Sequence, residues 1–329
     1  MSNNLLEIKD LRVSFKVEKE NIEVLSGINL DIEKGQIVGV VGESGCGKTL
    51  TALSVMGLLP IPPATINSGE VIFDNNNLLE LDQNQLRGYR GNRISMIFQE
   101  PISSLNPVYT IGDQIGEVIR THKDVTKIEE KEMVIELLNL VGIPSPETRF
   151  KSYPHEMSGG MCQRVMIAMA LACKPELLIA DEPTTALDVT IQAGILKLIK
   201  DLREKIGMAV LFISHDLGVI SQIADEIYVL YAGKVVEKGS VNDVFSHPTH
   251  PYTIGLIKSI PNIEHRKDKL YSIPGVIPSP NDFPKGCRFN NRCEYAFDEC
   301  YNSEPRLEEI SGKHESACFK VKELIKNER

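Results

Sequence analysis

A chain of 329 residues, 42% apolar and 25% charged, is long enough for one large domain or two ordinary ones and has the balance of a globular protein. Its 36 basic residues against 45 acidic ones leave a net charge of −9, which disfavours nucleic acid as the main partner. No apolar run approaches the roughly 18 to 20 residues needed to cross a bilayer. The start, MSNNLLEIKD, lacks the apolar stretch of a secretory signal, so a cytosolic chain is expected, in which clustered cysteines point to metal or catalysis before disulfides.

The first predicted strand is QIVGVVGESG (36–45), a β-branched run that stops at glycine. It feeds GESGCGKT, Gly42 to Thr49, which satisfies the P-loop pattern and is followed by the helix-compatible LTALSVMGLL. Glycines let such a loop curl so that backbone amides surround phosphate oxygens, and the helix adds the positive end of its dipole. Gly42, Glu43, Ser44, Gly45, Cys46, Gly47, Lys48, Thr49 and Leu50 are therefore expected to hold a nucleotide, Lys48 at the β and γ phosphates and Thr49 on magnesium. RISMIFQ (93–99) is the next buried strand and ends at Gln99. In KIEEKEMVIELLNLVGI, Val134, Leu137, Leu138 and Val141 recur at helical spacing. MSGGMCQR (157–164) leads into the helical VMIAMALAC; Ser158, Gly159 and Gly160 put small residues and free amides at a helix start, either an anion site or an ordinary cap.

ELLIADE (176–182) places Asp181 and Glu182 at the end of a buried strand. Beside a P-loop, Asp181 would hold magnesium through water, and Glu182 would orient and polarise the attacking water. TIQAGILKLIKDLREKIG is a helix ending at Gly207, and AVLFISHD (209–216) is the fourth buried strand. Strands alternating with helices imply a mostly parallel sheet covered on both faces, with ligands at the carboxyl ends of the strands, where these four polar endings fall. After Ile260 prolines recur and a charged link, PNIEHRKDK, begins, so a domain boundary is placed between residues 260 and 261.

Beyond it Cys287, Cys293, Cys300 and Cys318 form C-x5-C-x6-C-x17-C in a segment too short to build much core, where a metal could supply stability. Zinc usually takes paired C-x2-4-C knuckles, and the wider spacing suits a [4Fe-4S] cluster at least as well. Unligated buried cysteines are the third reading. Cys46, Cys162 and Cys173 lie in the upstream core and are left out of this set.

The order P-loop, Gln99, SGG, ADE, ALD and His215 resembles the nucleotide-binding subunit of ABC transporters, over about residues 5 to 260. The resemblance implies an α/β fold: a P-loop NTPase ABC ATPase core with a mixed sheet and flanking helices over residues 1–260, a helical signature subdomain at about 100–165, and a small Cys-rich C-terminal extension, 261–329. It implies that Phe15 stacks on adenine, with a core aromatic as the other reading, and that Gln99 touches magnesium and relays nucleotide state to membrane subunits. Ser158 and Gly160 would contact the γ phosphate of ATP held by a second ATPase subunit, Asp188 would cross the dimer interface, and His215 would switch on the γ phosphate. Met157 and Met161 stand where the family signature usually has leucine and glutamine, and Cys162 where a basic residue is frequent.

FQEPISSLNP (98–107) and HPTHPYTIGLIKSIP (247–261) are similar to segments of importers of dipeptides, oligopeptides, nickel and related solutes. That group carries an extension with spaced cysteines, which tilts the cysteine reading toward [4Fe-4S] over Zn2+. The resemblance implies ATP hydrolysis driving solute import from the cytoplasmic face of the membrane, with Mg2+, an identical or paralogous second ATPase subunit, two permease subunits and, indirectly, an external solute-binding protein. An ABC ATPase acting on DNA would insert a long coiled coil between P-loop and signature, and one acting on ribosomes usually carries two ATPase units. A P-loop kinase would have no reason for SGG and the acidic pair together. None of these features fits the sequence.

Overall fold

In a computed structural model, residues 3–185, 187–260 and 271–327 are described. The chain divides into two compact units, one of Met1–Leu5, Glu33–Gln36 and Glu80–Phe212, the other of Leu6–Ile32, Ile37–Leu79 and Ile213–Arg329.

The second unit opens with two long strands, β1 (Asn4–Val17) and β2 (Glu20–Glu33). On β1, Leu6 and Ile8 are buried, and then Leu11 and Val13, so the inward-facing set changes phase between them. The cause is a bulge: the pairing register shifts between Lys9 and Arg12, and Asp10 adopts φ +42°. With β4 (Ala64–Phe73), antiparallel to β1, and the short β5 (Asn76–Asn77), these strands form a sheet in the order β2-β1-β4-β5.

The same unit contains β3 (Ile37–Val41), buried along its whole length because IVGVV has no polar side chain to turn toward water. It pairs in parallel with β9 (Glu226–Tyr231), which pairs antiparallel with β10 (Lys234–Ser240). The C-terminal hairpin β11 (Glu308–Ser311) and β12 (His314–Ser316) extends this run in the order β11-β12-β10-β9-β3. The hairpin is locked down by Glu237 of β10, whose fully buried carboxylate accepts from Thr249 N–H and Oγ1 at 2.8 Å, from His250 N–H at 3.0 Å, and bonds His314 Nε2 at 2.8 Å. Burial alone would push this carboxyl up; the bonds from His314, Thr249 and His250 outweigh it and hold it below the usual range. Glu237→Ala would leave those donors buried and unpaired, so a loss of about 3 kcal/mol is expected, read as a lower denaturant midpoint at unchanged slope.

The first unit carries β6 (Ile94–Ile97), β7 (Leu177–Asp181) and β8 (Ala209–Ser214), side by side in that order. β6 and β7 are parallel, with Ile97 opposite Ala180. Three helices, α2 (Ile111–His122), α3 (Lys127–Leu140) and α4 (Gly159–Leu171), pack on one another through Ile115, Ile119, Val134, Leu138 and Ile167. The expected helical spacing puts Val134, Leu138 and Val141 in this core, while Leu137 is half-buried. α5 (Val189–Ile206) ends at Gly207, as its sequence predicts.

The expected mostly parallel sheet is found only in part. β3 with β9 and β6 with β7 are parallel, but the β1–β4 sheet and the β10–β12 edge are antiparallel, so the architecture is a mixed α/β one. The expected boundary between 260 and 261 opens onto residues 261–270, which lie outside the described residues.

Candidate nucleotide site

The P-loop belongs to the second unit and joins β3 to the helix α1 (Lys48–Met56). Two glycines are dictated by space and backbone. A Cβ on Gly42 would lie 2.2 Å from the Leu230 carbonyl oxygen, and Gly47 caps α1 at φ +110°. The curled loop turns its own carbonyls onto Lys48: the side chain is only 5% exposed, and Nζ donates to Gly42 O at 2.7 Å and Glu43 O at 3.2 Å. The Cys46 N–H also donates to Glu43 O, at 3.3 Å. Thr49 and Leu50 follow on the first turn of α1.

Glu43 is held from two further sides by residues far along the chain. Its N–H donates to Tyr252 Oη at 2.8 Å, and its carboxylate accepts both guanidinium N–H groups of Arg292, at 3.0 and 3.1 Å. Neither Tyr252 nor Arg292 was legible as part of the loop; the only signal is an acidic side chain inside a phosphate loop, which asks for a cation. Phe15 is half-buried on β1 opposite Ala64, and His215 is exposed just after β8.

In the first unit, the parallel register does the assembly. Ile97 faces Ala180, so the residues two steps beyond each, Gln99 and Glu182, emerge together at the carboxyl ends of β6 and β7. Gln99 Nε2 donates to Glu182 Oε2 at 3.2 Å, and Thr185 Oγ1 donates to the same oxygen at 2.9 Å. Glu182 sits at φ +46°, a left-handed conformation that a side chain adopts at a cost of roughly 1–3 kcal/mol. Asp181 is 2% exposed. Magnesium takes one or two protein carboxylates with phosphate oxygens and water, so a carboxylate at this strand end fits a magnesium role.

Ser158 caps α4, its Oγ accepting from Met161 N–H at 3.4 Å, and Gly160 is buried against Ile191. Asp188 caps α5, its Oδ1 accepting from Ile191 N–H at 2.9 Å, and lies exposed. The capping reading of SGG is thus realised locally, and it leaves the amides of Gly159 and Gly160 at the start of the helix.

Cys287, Cys293, Cys300 and Cys318 line one cavity of the second unit, together with Phe289, Tyr295 and Phe319. The expected four cysteines therefore share one cavity, but the expected metal centre, whether [4Fe-4S] or zinc, is not formed there. Among the described residues no group of three or more His, Cys, Asp or Glu side chains could hold a metal ion. Burial pushes the Cys287 thiol up to about 11 and the Cys318 thiol up to about 12.

A P-loop running from a buried strand into a helix, with an acid pair and a glutamine at neighbouring strand ends, defines a P-loop nucleoside triphosphatase. Residues 25–185 match the ABC transporter family, and residues 236–300 match the oligopeptide/dipeptide transporter C-terminal region. Similar proteins include a probable peptide ABC transporter ATP-binding protein, y4tR, of Sinorhizobium fredii, 52% identical over 98% of this chain and 96% of the relative. The oligopeptide transport ATP-binding protein AppD of Bacillus subtilis is 48% identical over 98% of each chain. The dipeptide transport ATP-binding protein DppD of Haemophilus influenzae is 46% identical over 94% of this chain and 93% of its own. Among solved structures, a dimeric post-hydrolysis ATP-binding cassette, MJ0796, bound to ADP and Pi, is 29% identical, with a TM-score of 0.64 over 72% of this chain and 98% of that one. The chain belongs to the ABC transporter family of ATP-binding proteins and is an ATPase.

Proposed function

We propose that this chain is the ATP-hydrolysing subunit of an importer of di- and oligopeptides. The observation that carries the reading is the match of residues 236–300 to the oligopeptide/dipeptide transporter C-terminal region, in the same chain as the ATPase core. In this reading residues 1–260 form the ATPase domain and 261–329 the extension. The loop amides of Gly42 to Leu50 and the Lys48 ammonium hold the phosphates, and Phe15 stacks on adenine. Thr49, Gln99 and Asp181 hold magnesium, which supplies charge neutralisation on the phosphate oxygens. Glu182 polarises the attacking water, its position kept by Gln99 and Thr185.

Ser158, Gly159 and Gly160 meet the γ phosphate of ATP on a second ATPase subunit, identical or paralogous, with Asp188 at the interface and His215 on the γ phosphate. Two permease subunits convert closure and separation of the ATPases into transport, and an external binding protein delivers the solute. The site is thereby peripheral on the cytoplasmic face. Reconstitution with the permeases in vesicles tests this: uptake of labelled dipeptide or oligopeptide should require ATP and this chain. Uptake of nickel and not peptide would overturn the peptide reading and leave the ATPase role.

The finer reading of the extension is that Cys287, Cys293, Cys300 and Cys318 take up a [4Fe-4S] cluster. What supports it is their sharing one cavity; a cubane presents four irons at separate corners, so its ligands need not converge on one point as zinc ligands must. Protein purified without oxygen should be brown and should lose its colour in Cys293→Ser. Colourless protein with one zinc per chain would overturn the cluster.

A further inference from the structure

The four-cysteine segment does more than pack beside the ATPase core. Arg292, the residue before Cys293, sends its guanidinium out of the segment and into the P-loop, where its two terminal nitrogens meet the two oxygens of Glu43 at 3.0 and 3.1 Å. The geometry is bidentate, and the Arg292 side chain is only 7% exposed. Nη1 also donates to Tyr231 Oη at 3.3 Å, and Nε to the Pro274 carbonyl at 2.8 Å, so the fork is fixed at both ends. Tyr231, Tyr252 and Phe289 pack tilted and edge-on against one another with ring centroids 4.7 to 5.5 Å apart, and the Arg292 Cζ lies 5.7 and 5.8 Å from the Tyr231 and Phe289 ring centroids, so the guanidinium is supported on its aromatic side while the Glu43 side chain stays 28% exposed.

Glu43 is the residue through which the loop's conformation passes. Its carbonyl accepts from Lys48 Nζ and from the Cys46 N–H, its own N–H is held by Tyr252, and its side chain is held by Arg292. Paired charges with bidentate geometry resist rotation more than a single contact does, so Arg292 fixes the peptide units that present Lys48.

We propose that Arg292 is a positioning residue for nucleotide binding, by which the cysteine segment sets the P-loop in its phosphate-ready shape. The inference rests on the ATP-site reading above and adds a residue the P-loop pattern does not contain. It makes the extension a working part of the ATPase, since whatever loosens the segment around Cys293 also loosens the loop.

The test is the split between KM and kcat in the full-length protein. Arg292→Ala should raise the KM for ATP about five- to tenfold with kcat within about twofold, and Arg292→Lys, which offers one donor in place of a fork, should fall between. Glu43→Ala should raise KM similarly, and the double variant should be no worse than the weaker-binding single one. An unchanged KM in Arg292→Ala, or single effects that multiply in the double variant, would overturn the proposal while leaving the ATPase reading intact. A fall in kcat at constant KM, tracking the folded fraction seen by circular dichroism, also overturns it. Absence of ATP hydrolysis in the unmodified protein would overturn both.

Discussion

Glu182→Gln should lower ATP turnover by about 10²- to 10⁴-fold while leaving ATP binding within a few-fold of normal. The amide keeps the shape of the carboxylate and an oxygen to accept from Gln99 Nε2 and Thr185 Oγ1. It removes only the basicity that polarises water. Asp181, one residue earlier and buried, is spoken for by magnesium in this reading, so no neighbouring carboxylate in the strand end replaces it. With hydrolysis stopped and binding intact, a nucleotide-bound dimer should accumulate and be seen by size-exclusion chromatography with ATP. A variant that releases phosphate near the normal rate would assign the base elsewhere.

Lys48→Ala should fail one step sooner. Lys48 is 5% exposed and its Nζ donates to Gly42 O and Glu43 O, so it is already oriented before ATP arrives. A charged hydrogen bond of this kind contributes about 1.5–3 kcal/mol, which corresponds to roughly 10- to 150-fold in affinity. Titration of a fluorescent ATP analogue should show that loss; affinity equal to that of the unmodified chain would remove Lys48 from the phosphate site.

The parts of the fold visible in the sequence are those whose signal is local. IVGVV, ISMI, LLIAD and AVLFIS are short, mostly apolar and, apart from Met96, buried, and each gives way, directly or after Phe98, to a glycine or polar residue; the register of β6 on β7, with Ile97 opposite Ala180, then aligns Gln99 with Glu182. The long strand β1 was not legible because the bulge at Asp10 flips its phase, so no single period-two pattern runs through Asn4–Val17, whereas β2 does carry a period-two signal in its second half, with Ile28, Leu30 and Ile32 buried. The C-terminal hairpin was missed because Glu308–Ser311 is largely exposed and gains its place from Glu237 and His314, 77 residues apart. The same holds for Arg292 and Glu43, 249 residues apart. Composition and spacing report what neighbours in sequence can do, and these pairs meet only through the fold. The cysteines show the intermediate case: the four grouped by spacing line one cavity, and the spacing could not say what that cavity holds.

The φ of +46° at Glu182 sets selection for robustness against selection for turnover at one position. Glycine or asparagine adopts that backbone with little or no penalty, so Glu182→Gly relieves strain by roughly 1 kcal/mol or more. A library of this protein sorted only for heat tolerance or expression would therefore drift away from glutamate at 182, and, with Glu182 as the proposed base, its hardiest members would be inert. Any thermostabilisation campaign has to hold that residue constant or score turnover in every round.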